Sequence, residues 1–128
     1  MNRSQFVQSL VLGSICDDFE NVDQVILRII AEDGAKSGLT IERPEVVIAL
    51  TCLVEAGLAR AYELSSFGGR DPFSGILSGM PQIDEVEEDF HTYFYVTEKG
   101  LEQHRADRAW WPFDDLGNPR PDWSLEID

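Results

Sequence analysis

Apolar positions recur at two different spacings along this chain, and each change of spacing marks an element boundary. Phe6, Val7, Leu10, Val11 and Ile15 fall on one broad helical face, with Ser4 placed to cap it. Asp17-Asp18-Phe19-Glu20 breaks that helix. Asn21 then caps the next one, and Gln24, three residues on, completes a capping-box-like pair. Val22, Val25, Ile26, Ile29 and Ile30 keep helical spacing up to Gly34, which predicts a stop there. Thr40 to Arg43 admits a brief helical turn before Pro44, which suits the first position of a new helix because its missing N–H is no loss there. That helix is expected over residues 44–56, with Gly57 as its left-handed stop. Residues 58–64 then alternate as a strand does, with Leu58, Arg60, Tyr62 and Leu64 on one side and Ala59, Ala61 and Glu63 on the other.

Beyond residue 64 the pattern lapses. Residues 65–90 hold four glycines, two prolines and an acidic cluster, with only a weak apolar patch at Phe73, Ile76 and Leu77. Residues 91–96 form an aromatic, β-branched return strand. Thr97 caps a final helix to about Arg108, with Leu101 on its inner face, and an irregular tail rich in proline and aromatic residues follows.

Leu50, Leu53, Ala56, Gly57 and Leu58, answered later by Tyr95, Thr97 and Gly100, resemble the heart of a winged helix-turn-helix domain. Leu50 and Leu53 would enter a three-helix core, Gly57 would reverse the chain, and Leu58 would pin the first wing strand to that core. The resemblance covers residues 22–106. It implies a mainly α, α+β fold: a trihelical core with a two-stranded β wing, an extra N-terminal helix, a helix after the wing and an irregular tail. Residues 1–109 would be one domain, and the tail, residues 110–128, would pack on that domain or on a partner. Two departures stand out. The second helix of the trihelical unit is squeezed into residues 39–43, and the wing loop spans residues 65–90, longer than structureless loops usually run.

Winged helices usually bind DNA, but here charge argues against that. The 128-residue chain has a formal net charge of -14. Duplex DNA carries a negative charge every ~1.7 Å, and neutralising it supplies most nonspecific affinity. The wing offers only Arg70 against six acids. With Val46, Leu50 and Leu53 facing the core, the helix over 44–56 turns Val47, Ile48, Thr51 and Cys52 outward, and only Thr51 is a good hydrogen-bonding group. If DNA were bound, Arg43, Thr51, Arg60 and Arg70 would carry it. The outward strip, together with Trp110, Trp111, Phe113 and Trp123, fits a protein partner or a homodimer better, because apolar patches and large amphipathic rings mark interfaces.

Chemistry is sparse. Hydrophobic residues make up 43% and charged residues 27%, a globular balance, and no apolar run reaches the ~18 residues of a membrane span. The segment from Phe6 to Cys16 reads as an ordinary helix rather than a secretion signal, since Gln5, Gln8 and Ser9 interrupt it. Cys16 and Cys52 lack C-x-x-C spacing and read as buried cytosolic thiols. His91 and His104 are the only histidines, and no nucleophile is oriented toward either. The run from Asp84 to Asp89 lacks the spaced oxygens and glycine of a calcium loop. The expectation is a non-catalytic cytoplasmic protein with no cofactor and no metal.

Overall fold

The computed structural model describes residues 2–63, 76–83, 88–89, 91–109 and 111–121. The described chain is α+β: α1 (Arg3–Ser14), β1 (Glu20–Asn21), a π-helical turn (Val22–Ile26) running into α2 (Leu27–Lys36), α3 (Arg43–Glu55), β2 (Ala59–Glu63), β3 (Thr92–Val96) and α4 (Glu98–Asp107). The strands form one antiparallel sheet in the order β1-β3-β2.

The core is built where the apolar spacing places it. Phe6, Val7, Leu10, Val11 and Ile15 are buried, and Leu12 joins them because α1 packs against α2, α3 and α4. The cap of α1 lies upstream of the expected Ser4. Asn2, in extended backbone, accepts from the Gln5 amide at 2.9 Å, and the Gln5 side chain accepts from the Asn2 amide at 3.2 Å. This reciprocal pair satisfies two donors that the helix itself cannot.

Asn21 caps the second helix as expected, accepting from the Gln24 amide at 2.9 Å. Its first turn is wide, with the Leu27 amide donating to the Val22 carbonyl, and Val22, Ile26 and Ile30 line its inner face. Gly34 does not end this helix. It is buried within α2, and a Cβ there would stand 2.8 Å from Ile41 Cδ1, so glycine lets Ile41 pack close to the helix. The stop is Gly38, at φ +79°, with the Leu39 amide returning to the Gly34 carbonyl at 2.8 Å.

The brief helix expected within residues 39–43 is absent. Four or five residues are too few to repay helix nucleation, and the chain instead carries Ile41 back onto Gly34. Arg43 and Pro44 open α3, which buries Val46, Ala49, Leu50 and Leu53. With no helix over 39–43, the third helix packed against α2 and α3 is α1, so the N-terminal helix is integral to the bundle rather than an addition to it. Gly57, at φ +76°, ends α3, and the Leu58 amide donates to the Leu53 carbonyl at 2.9 Å.

In the sheet, Ala61 pairs with Phe94 and Ala59 with Val96, so small residues of β2 face large ones of β3 on the core side. Tyr62, on the other face, is also buried: Phe19 meets it edge-on at 4.9 Å while stacking on Tyr95 at 4.6 Å. The strand β1 falls where the sequence predicts a helix break ending at Glu20 and a helix cap at Asn21. Its two residues are too short for any periodicity, and only pairing with Tyr93 and Phe94 makes them a strand.

The described residues of the long connection between β2 and β3 include two that pack on the rest of the fold. The Leu77 amide donates to the Ala61 carbonyl at 3.0 Å, and Ile83 is buried on the core. Ile76 is largely exposed, and Phe73, the third member of the expected patch, lies outside the described residues.

Candidate functional site

The outward side of α3 is the surface that the sequence nominates, and the structure leaves it few free polar groups. At its start, Arg43 grips Asp23 from the turn before α2, Nε to Oδ1 at 2.8 Å and Nη2 to Oδ2 at 3.1 Å. The pair is nearly sealed, with 18% of the Arg43 side chain and 5% of Asp23 exposed. Asp23 also accepts from the Asp89 amide at 2.7 Å. Burial pushes the Asp23 carboxyl up, but the Arg43 bond, the Asp89 amide and the Arg43 charge together outweigh it and leave the pKa below the usual carboxylate value.

Asp89 extends this network. Its carboxylate accepts from the His91 and Thr92 amides and from the Thr92 hydroxyl, and its carbonyl accepts from the Asn21 side chain. Burial raises its pKa, and these hydrogen bonds more than reverse that. The acidic run therefore contributes at least one structural residue, Asp89, whose carboxylate holds the start of β3 and whose backbone ties it to Asn21 and Asp23.

In the first turn of α3, Glu45 receives both Arg3 Nε at 3.0 Å and Arg3 Nη2 at 2.9 Å, and Arg3 Nη2 also reaches the Thr40 carbonyl. The Thr51 hydroxyl turns back onto the Val47 carbonyl at 2.8 Å. Val47 and Cys52 are half-buried, so the expected apolar strip narrows to Ile48, which is 61% exposed. A shallow hollow beside it is walled by Arg3, Ser4, Val7 and Glu45. Of the four residues nominated for DNA, Arg43 and Thr51 are engaged as described, Arg60 stands exposed on β2, and Arg70 lies outside the described residues.

The aromatic residues of the tail go elsewhere. Trp111 packs on Gly13, at the opposite end of α1 from the Ile48 hollow, and meets His104 edge-on at 5.4 Å and Phe113 at 6.4 Å. Lys36 lies 5.7 Å from the Phe113 ring centre and donates to the Gly117 carbonyl at 3.3 Å. Trp111 and Phe113 thus extend the core rather than cover Ile48. Trp110 and Trp123 lie outside the described residues.

Trp111 also walls an open cleft of about 690 Å³ that gathers Cys16, Asp17, Glu20, Asp33 and His104. The Cys16 thiol points at the Leu12 carbonyl at 3.2 Å, and burial, with a smaller push from Asp17, lifts its pKa to about 11. Burial, then the Arg108 charge, lower the His104 pKa against opposing pulls from Asp107 and Asp17. Its Nδ1 is buried with no hydrogen-bond partner, so no carboxylate holds that nitrogen. Among the described residues, no three His, Cys, Asp or Glu side chains converge as a metal would require. No described helix is long and apolar enough to cross a membrane.

Compared with family models, curated proteins and solved structures, the chain matches none of them.

Proposed function

We propose that this chain is a winged-helix protein that acts through protein contacts, as a homodimer or a regulatory partner in the cytoplasm, and neither reads DNA nor catalyses a reaction. The helix, strand, helix, helix, strand, strand order and the β1-β3-β2 sheet support the fold reading. In that reading α3 occupies the recognition-helix position and residues 65–90 form the wing loop.

One observation carries the functional reading: the basic group best placed to lead α3 toward a phosphate, Arg43, is spent internally on Asp23. A DNA reader needs its donors free to reach phosphates and base edges. Ile48 instead offers an exposed apolar centre bordered by the Arg3–Glu45 pair. That arrangement suits a contact with an apolar middle and a polar rim.

The test combines two measurements. Gel shifts with mixed duplex DNA at ~50 mM salt should show no retardation, and sedimentation of the wild type should show an association that Ile48→Glu weakens at least tenfold. Retardation that declines steeply with added salt would overturn the reading in favour of a transcriptional regulator.

A further inference from the structure

On the side of α1 facing α4 is a second hollow, about 330 Å³, whose chemistry is more one-sided than that of the larger cleft. Asp107, the last residue of α4, forms part of its wall and is only 4% exposed. One carboxylate oxygen accepts from the Gln103 side chain at 3.0 Å, while the other, Oδ2, is buried and receives no hydrogen bond. A buried carboxylate with an unused oxygen is costly. Its place at a helix C-terminus adds to that cost, because the macrodipole there favours cations.

The rest of the lining carries no charge of either sign. Gln8, Ser9 and Gln103 supply oxygens, and Leu12, Leu53 and Leu58 supply apolar wall. A single carboxylate balances one positive charge and suits a divalent ion poorly, since such ions collect several charged or carbonyl oxygens. An ammonium has three N–H donors to distribute, and an alkyl chain attached to it would lie along the leucines.

We propose that this hollow binds a primary alkylammonium group, with the ammonium on Asp107 and the chain against Leu53 and Leu58. Gln103 is exposed and touches the carboxylate only at Oδ1, so an ammonium drawn to Asp107 meets no competing donor on Oδ2. The chemistry is shared by free aliphatic amines and by a lysine side chain of another protein.

The test is an amide chemical-shift titration of the full chain with n-butylammonium chloride, with n-butanol and sodium chloride as controls. Saturable shifts at Ser9, Gln103 and Asp107, with a dissociation constant in the ~mM range expected of so small a ligand, are the predicted result. A parallel titration with a blocked lysine amide separates the sources: equal or tighter binding assigns the site to a lysine side chain, and weaker binding assigns it to a free amine. Asp107→Asn should weaken n-butylammonium at least tenfold. Gln8→Lys, a change near the hollow's rim that keeps the core, should do the same by placing a tethered ammonium within reach of Asp107. Shifts that n-butanol or sodium chloride reproduces, or binding that survives Gln8→Lys, would overturn the proposal.

Discussion

The Thr97 hydroxyl donates to the Gly57 carbonyl at 2.6 Å while accepting from the Gly100 amide at 3.0 Å, so one side chain joins the end of α3 to the start of α4. Around it the Thr97 amide donates to the Leu58 carbonyl and Lys99 Nζ to the Ala56 carbonyl. Gly-Leu and Thr-x-x-Gly, forty residues apart, thus form one joint. The carbonyls released at the helix stop become acceptors for the next helix start.

Two glycines in this joint should respond to alanine for different reasons. At Gly100 a Cβ would lie 2.0 Å from the Leu58 carbonyl oxygen and 2.6 Å from Val96 Cγ2, so the backbone itself must move. Gly100→Ala should cost about 3 kcal/mol. Gly57 has open space around it and is constrained only by its φ of +76°. Gly57→Ala should cost about 1 kcal/mol. Urea unfolding of both variants checks the order, and equal losses would contradict it.

Arg43→Ala leaves the Asp23 carboxylate buried beside the Asp89 amide without its cation, and should cost about 3 kcal/mol at neutral pH. Because the folded pKa of Asp23 lies below its unfolded value, its contribution is complete above pH ~4. It disappears as pH falls through the folded value. The deficit of Arg43→Ala relative to wild type should therefore shrink below pH ~4, as read by denaturation from pH 7 to 2.

Ile48→Glu should leave stability within about 0.5 kcal/mol, because an exposed side chain loses little on folding. Val46→Ala, on the buried face of the same helix, should cost about 2 kcal/mol. Association lost in the first variant with unchanged melting would separate surface from core.

His104 has a folded pKa lowered first by burial and then by Arg108, so its neutral form is favoured in the folded state. The groups near it are Asp107 at the end of α4, Arg108 just after it, Asp17 after α1, and the Trp111 ring. Stability from this group is present above its unfolded pKa of ~6.5 and is lost as pH falls through the folded value. His104→Gln should flatten the slope of stability between pH 7 and 5, by at most about 1.4 kcal/mol per pH unit. Melting curves of the two proteins in matched buffers read the difference directly.

Much of this molecule is legible locally. The burial of Leu50 and Leu53, the left-handed Gly57, and the caps at Asn21 and Thr97 all follow from spacing and residue type. Each depends on neighbours within four or five residues, which is the range over which helical periodicity and capping act. The candidate surface was less legible. Spacing turns Val47, Ile48 and Cys52 outward, yet only Ile48 is exposed and the other two are half-buried, because helical spacing assigns a face without saying how far neighbouring chain wraps around it.

The sequence by itself determined where the four described helices and two longer strands form, and that the apolar face of α1, with Leu50 and Leu53 of α3, enters the core. Only the tertiary structure decided that Glu20–Asn21 is a strand, that Gly34 serves packing on Ile41 rather than termination, and that Arg43 is matched to Asp23. It also decided that Trp111 settles against Gly13 while Ile48 stays in water. The reason is range. Periodicity and caps are written in adjacent residues, whereas ion pairs, close approaches and strand edges join positions far apart, and no spacing along the chain encodes which of them will meet.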